Sequence, residues 1–188
     1  FCYAQRGALS VAAPSMMQEL HLSRGVMGIL LSAFFRTYSF MQMPAGWLVD
    51  RFGVKKGYAV GYLVWSAGSA LTGFARGLPA LIGARMLLGI GQAAAFPASA
   101  RAVANWFQDR ERGTVAAGYL TGVRLGQALI NAVGFLLLGA LGFKFFFLAI
   151  GVVPLIWLFP WFAFLGRWEK KESAPRASET QKAAAPGL

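Results

Sequence analysis

The sequence predicts an all-α membrane protein built as a bundle of six transmembrane helices. Hydrophobic residues make up 57% of the 188 positions and charged residues only 13%, with a mean hydropathy of +0.54. A soluble domain carries roughly a quarter charged residues. The apolar residues also gather into runs close to the ~20 residues that a helix needs to cross the hydrocarbon. These runs do not alternate and are far longer than barrel strands, which excludes the other membrane architecture.

Taken in order, the first run covers residues 1–17. It is slightly short, and it opens inside an apolar segment without the basic start of a signal peptide, so an N-terminally truncated first helix is expected. The second and third runs cover residues 26–49 and 57–75, the fourth 78–107, the fifth 114–142 and the sixth 145–166. Residues 1–166 therefore read as one bundle. Residues 167–188, rich in Ala, Pro, Ser, Glu and Lys, read as a polar cytoplasmic linker or tail.

Lys and Arg orient the bundle. Arg51, Lys55, Lys56, Arg110, Arg112, Arg167, Lys170, Lys171, Arg176 and Lys182 fall in one set of connections. The opposite set holds only Arg24, Arg76 and Lys144, so the first set is expected on the cytoplasmic side. The formal charge of +11 could suggest nucleic acid, but the cations lie between apolar runs rather than along one polar face, which argues against it. The expected surroundings are a lipid bilayer. A single Cys2 and a single His21 leave no disulfide framework and no His-based metal site. No nucleophile–base pair, metal cluster or phosphate loop points to an enzyme, and no cofactor is expected.

The other five cations, Arg6, Arg36, Arg85, Arg101 and Arg124, fall inside predicted spans, whereas all seven acids fall in connections or the tail. An Arg near a helix centre costs about 2.5–3.5 kcal/mol even on the insertion scale. Arg6, Arg36 and Arg124 are expected near mid-membrane, and Arg101 close enough to the cytoplasmic end to snorkel. With no acid to pair them, the buried cations need a wet cavity, carbonyls, acids elsewhere or a bound anion. Guanidinium grips carboxylate or phosphate with two parallel bonds, which favours an anion-binding cavity. The alternative is structural Arg bonded to neighbouring helix ends. Tyr3, Arg6 and Ser10 share one helical face, as do Arg85 and Gln92. Gly118, Gly122 and Gly126 form a four-residue stripe that predicts close helix packing.

The stretch from Gly46 to Lys56, Gly-Trp-Leu-Val-Asp-Arg-Phe-Gly-Val-Lys-Lys, resembles the signature cytoplasmic loop of the major facilitator superfamily. In it Asp50 is expected to cap a helix end and pair with cations, and Gly53 to permit a tight turn. Further stretches, among them residues 9–14, 44–47, 85–92, 96–98 and 106–113, resemble the anion:cation symporter branch, which includes sugar-acid, hexuronate and phthalate-type transporters. The resemblance implies the first six-helix half of a twelve-helix fold, with the C-terminal half missing. It also implies transport of small organic anions by alternating access across a bacterial inner membrane. By position, Tyr3, Arg6, Tyr38 and Arg85 match places tied to substrate binding or coupling. Gly46, Asp50, Arg51, Gly53, Lys55 and Lys56 match the gating loop. Gln5 and Gln92 stand where the branch often has acids, and an amide cannot titrate, so proton coupling is put in doubt. Arg36 and Arg124 stand where neutral residues are usual, and both join the expected substrate-binding set. Two alternatives stay open: a proton-independent exchanger or facilitator, and a six-helix membrane subunit that transports nothing.

Overall fold

The computed structural model describes residues 2–163. The expected beginning of the first span at Phe1, the end of the sixth at Gly166 and the tail at 167–188 lie outside the described residues. The elements in order are α1 (Cys2–Glu19), α2 (Arg24–Phe74), α3 (Leu78–Ala93), α4 (Ala95–Trp106) and α5 (Asp109–Val152), then a 3-10 helix (Val153–Trp157) and helical residues 158–163.

Two helices are too long for one crossing, and each is folded at a glycine. At 51 residues α2 would run roughly 75 Å if straight. It breaks at Gly53, whose φ of 83° is a left-handed value that a side chain would oppose. The second limb turns back so tightly that a Cβ on Gly57 would lie 2.8 Å from the Val49 side chain. In the same way α5 breaks at Gly142, with φ 67°. The expected boundaries between the second and third spans, and between the fifth and sixth, thus coincide with real bends. The fourth span, expected as one helix, is two. Ala94 separates α3 from α4, and Pro97 in the first turn of α4 has no N–H to donate back to Ala93. By length and composition, Leu78–Trp106 and Asp109–Ala163 are apolar enough to cross a membrane. The first two expected spans carry Arg6 and Arg36, and the third, without a charge, is diluted by Gly, Ser and Tyr.

Local chemistry fixes the ends. Ser23 caps α2, its hydroxyl oxygen accepting from the Val26 amide. Arg112 closes the end of α4 by donating to the Ala104 carbonyl at 2.7 Å and the Phe107 carbonyl at 3.2 Å, and it pairs with Asp109. One apolar core joins α1 to both limbs of α5, with Leu9, Met16, Phe143, Phe146 and Phe147 fully buried. Another joins the second limb of α2 to α3 around Tyr62, Trp65 and Leu88. The Tyr62 hydroxyl donates to the Pro154 carbonyl at 2.8 Å and so ties that limb to the 3-10 helix. Large apolar side chains such as Phe40, Met43, Leu136, Ile156 and Phe159 stay exposed. On a soluble chain they would be a liability, and on a membrane bundle they face lipid or another helix layer.

The close-packing glycines are not the predicted ones. A Cβ on Gly68 would lie 2.6 Å from the Leu88 amide nitrogen, and one on Gly61 2.8 Å from the Gly91 carbonyl. Around Gly118 and Gly122 there is open space, and a Cβ on Gly126 would only reach 3.8 Å from Ala4. Of the stripe on α5 only Gly126 meets another helix, at ordinary contact distance, and Gly118 and Gly122 meet none within the described residues. The stripe's four-residue spacing says that a helix could approach, not that one covers it.

These contacts set an expected outcome. In the full-length protein Gly68→Leu should force α2 and α3 apart and cost about 3 kcal/mol or more. Gly83→Ala, which meets nothing within 4 Å, should be neutral or gain up to about 1 kcal/mol. Thermal unfolding in detergent reads both, and equal melting temperatures for the two variants would contradict the packing.

Candidate anion-binding site

Three helices bring polar side chains to one depth. Arg6 lies thirteen residues before the end of α1 at Glu19. Tyr38 lies fourteen residues after the start of α2 at Arg24, and Gln92 fourteen after the start of α3 at Leu78. Each is therefore roughly 20 Å from its own helix end. Tyr38 is also fifteen residues before the Gly53 bend, which makes it the midpoint of its limb.

At that depth they form a cradle for one guanidinium. Arg6 Nε donates to Gln92 Oε1 at 2.8 Å, and Gln92 Nε2 donates to the Cys2 carbonyl at 3.2 Å. The buried amide thereby uses its acceptor on Arg6 and a donor on the α1 backbone. Three rings surround the cation: Tyr38 at 4.2 Å from the guanidinium carbon to the ring centroid, Tyr3 at 4.6 Å and Phe34 at 5.3 Å. Phe34 and Tyr38, one turn apart on α2, stack on each other at 5.8 Å. Aromatic faces stabilise a cation by about 0.5–2 kcal/mol each, more when desolvated. Among the described residues no carboxylate pairs with Arg6. Its Nε is taken by Gln92, and the Tyr38 hydroxyl and the Cys2 sulfur also lie within hydrogen-bonding reach of the guanidinium. The outer face of α1 stays open beside it, with Tyr3 half-buried and Ser10 exposed.

The other expected residues lie elsewhere. Arg85 does not join Arg6. It is enclosed between the second limb of α2 and α5, donates to Thr72 Oγ1 at 3.2 Å, sits 5.2 Å from the Phe147 ring, and leaves its Nε without a partner. Seven residues separate it from Gln92, about 10 Å along α3, which is why sharing a face did not make them neighbours. Gln5 is buried on another side of α1, where Nε2 donates to the Ile150 carbonyl at 2.7 Å and Oε1 has no partner. Arg36 is exposed and two residues from Tyr38, so it points away from the cradle. Arg124 is exposed on α5.

In the turn at Gly53, Asp50 pairs with Arg101 at 3.2 Å, both partly exposed, beside a cleft of about 170 Å³ lined by Gly53, Lys55 and Asn105. Arg101 was expected to snorkel without an acid; it meets one because α4 ends beside this turn. Asp50 pairs across the bundle rather than capping a helix, since α2 runs on past it. Arg51 lies 5.4 Å from the Trp47 ring, Lys55 lies 5.6 Å from the Phe162 ring, and Lys56 is exposed. Gly46 faces Pro97 across the α2–α4 contact. Sequence reading missed Phe34 and the Cys2 carbonyl. The position of Phe34, four residues before Tyr38, was the available signal.

The sequence model of the Major Facilitator Superfamily matches residues 1–187. The chain belongs to that superfamily. Superfamily relatives include a D-galactonate transporter of Escherichia coli, 34% identical over 86% of this chain and 37% of its own length. A probable sulfoacetate transporter of Cupriavidus necator is 36% identical over 96% of the chain and 42% of its own length. A probable galactarate/D-glucarate transporter of Escherichia coli is 38% identical over 82% and 36%. The chain thus spans about two-fifths of the length of these relatives, consistent with an N-terminal six-helix half.

The burial of Arg85 has a measurable consequence. Replacing a buried, poorly partnered ion by an apolar residue of similar length is often neutral or stabilising. Arg85→Met is therefore expected to leave the melting temperature unchanged or raised. Thr72→Val, which strands the Arg85 charge, should lower stability by about 1–3 kcal/mol. The opposite order would contradict the enclosed placement of Arg85.

Proposed function

We propose that the chain is the N-terminal half of a secondary transporter for small organic anions, with Arg6 as the seat of a carboxylate. The observation that carries the reading is the Arg6 cradle: a permanent cation at mid-span, steered by Gln92 and by ring faces rather than neutralised by an acid. Such a group keeps its charge for a ligand. Tyr3, Tyr38 and Gln92 orient the polar substituents of that ligand. The names of the relatives, which include galactonate and galactarate/D-glucarate transporters, support sugar acids or related carboxylates. Residues 1–166 form the bundle and 167–188 the cytoplasmic linker to a second half. The substrate binds between the halves near mid-membrane, and the halves rock about it. The Asp50–Arg101 pair and its cationic neighbours steady the cytoplasmic gate. The bacterial relatives favour the inner membrane.

A second reading within transport rests on Gln5 and Gln92. Neither can release a proton, so among the described residues no carboxylate stands at the cradle, and transport proceeds as exchange or facilitated diffusion. A six-helix subunit without transport activity is the third reading, and purification of the native chain only in a fixed complex would favour it.

Uptake of labelled sugar acids into vesicles containing the full-length protein tests the proposal. Arg6→Ala is expected to lower kcat/KM by roughly a hundredfold, since a charged hydrogen-bonded pair is worth about 2–3 kcal/mol. Retained transport would defeat the assignment. An imposed pH gradient is expected to leave wild-type uptake unchanged, and strong acid-driven accumulation would contradict the proton-independent reading. Gln92→Glu should place a competing carboxylate on Arg6. Anion affinity should then fall at neutral pH and return as the medium is acidified and the glutamate protonates. Affinity independent of pH in that variant would show that residue 92 does not control Arg6.

A further inference from the structure

We infer that the groove between the two limbs of α2 and α3 holds one acyl chain of an anionic phospholipid, with Lys56 on its headgroup phosphate.

The groove follows from small residues beyond the bend. After Gly53 the second limb of α2 lies back against the first. Gly61 lets that limb meet α3 backbone to backbone, since a Cβ there would fall 2.8 Å from the Gly91 carbonyl. Gly57, Gly61 and Gly91, with Ala45 and Ala94, therefore make a floor without bulk. Larger side chains stand along its sides: Pro44, Leu48 and Phe52 at four-residue intervals on the first limb, Val60 on the second and Ile90 on α3. Leu48, Phe52, Val60 and Ile90 are all exposed, so the groove opens outward. It encloses about 410 Å³.

Its length matches one lipid leaflet. The lining runs from Lys56 to Val64 on the second limb and from Phe52 back to Met41 on the first. Those stretches rise roughly 12 and 16 Å, against about 15 Å for half of the hydrocarbon core. The groove starts at the turn and ends near the middle of the bundle, as an acyl chain does.

Charge names the lipid. Among the described residues Lys56 is the one polar side chain that lines the groove, and it stands at the turn end. It is exposed and pairs with no acid among those residues. Asp50, the one acid of the turn, is taken by Arg101, so the turn with Arg51, Lys55 and Lys56 presents a net positive edge. It belongs to the connections expected at the cytoplasmic surface, where the leaflet is anionic. A helix of another chain laid in the groove would bury Lys56 without an anion, whereas a phospholipid brings the anion with it. A zwitterionic headgroup sets its own cation beside the phosphate and weakens the hold.

The test uses the full-length protein in a neutral detergent, with phosphatidylglycerol that carries a photoreactive diazirine in its acyl chain. After illumination, peptide mass spectrometry maps the adducts. They are expected on the segments around Leu48, Val60 and Ile90, with a yield roughly fivefold above that of a phosphatidylcholine with the same chains, about what one lysine at an anionic surface contributes. Lys56→Gln should remove that preference and keep the adducts of both lipids. Val60→Trp, which fills the groove from an exposed position, should cut the adducts of both by roughly tenfold. Should that variant fail to fold, Lys56→Gln still decides. Excess inorganic phosphate should leave the yield unchanged. Equal yields for the two lipids in wild type, or an undiminished preference in Lys56→Gln, would overturn the headgroup assignment. Adducts absent from all three segments would overturn the groove as a lipid site and mark it as covered by the rest of the protein. Displacement by phosphate alone would overturn it in favour of a soluble anion. None of these readouts involves a transported acid, so the inference fails or holds separately from Arg6.

Discussion

Everything in this bundle answers to one constraint: a guanidinium that cannot lose its charge is held at the middle of a helix layer with no acid beside it among the described residues. The protein meets that constraint with π-faces and one amide. Tyr3, Phe34 and Tyr38 supply electron-rich rings, and Gln92 supplies a single directed acceptor. A carboxylate in the place of Gln92 would have neutralised Arg6 and closed its fork. An amide steers the cation and leaves its charge unspent.

Backbone packing makes that arrangement reachable. A Cβ at Gly89 would lie 2.8 Å from the Phe34 carbonyl and 3.1 Å from the Tyr38 amide nitrogen, so only a glycine lets α3 approach the first limb of α2 this closely. Gly61 and Gly68 do the same between α3 and the second limb. The result is that Gln92, on one side of α3, reaches Arg6 across α1. Arg85 shows the contrasting solution. It is buried more deeply than Arg6 and spends itself on Thr72 and Phe147 inside the seam.

Much of the fold was legible because it depends on periodic, local properties. The long apolar runs marked the spans, and Gly53 marked the first bend, since a left-handed backbone needs a residue without a Cβ; the bend at Gly142 was legible only as the boundary between two runs. The site was legible only in part. Spacing along one helix gave Tyr3 with Arg6, and the resemblance gave Tyr38 and Gln92. Spacing could not tell that Arg85, on the same helix as Gln92, would be sealed off two turns away. The glycine stripe on α5 misled for a related reason: a small residue permits contact, whereas contact needs a partner surface. The Asp50–Arg101 pair was hidden because it joins residues far apart in sequence whose meeting depends on how the α2 turn sits against α4.

The measurement that bears most directly on the Arg6 cradle is an experimental structure of the full-length protein with a bound sugar acid. The account expects a carboxylate within hydrogen-bond distance of the Arg6 Nη groups, with the Gln92 contact to Nε kept. An acid bound between the halves but out of reach of Arg6 would contradict it, as would an Arg6 guanidinium turned into the bundle onto main-chain carbonyls.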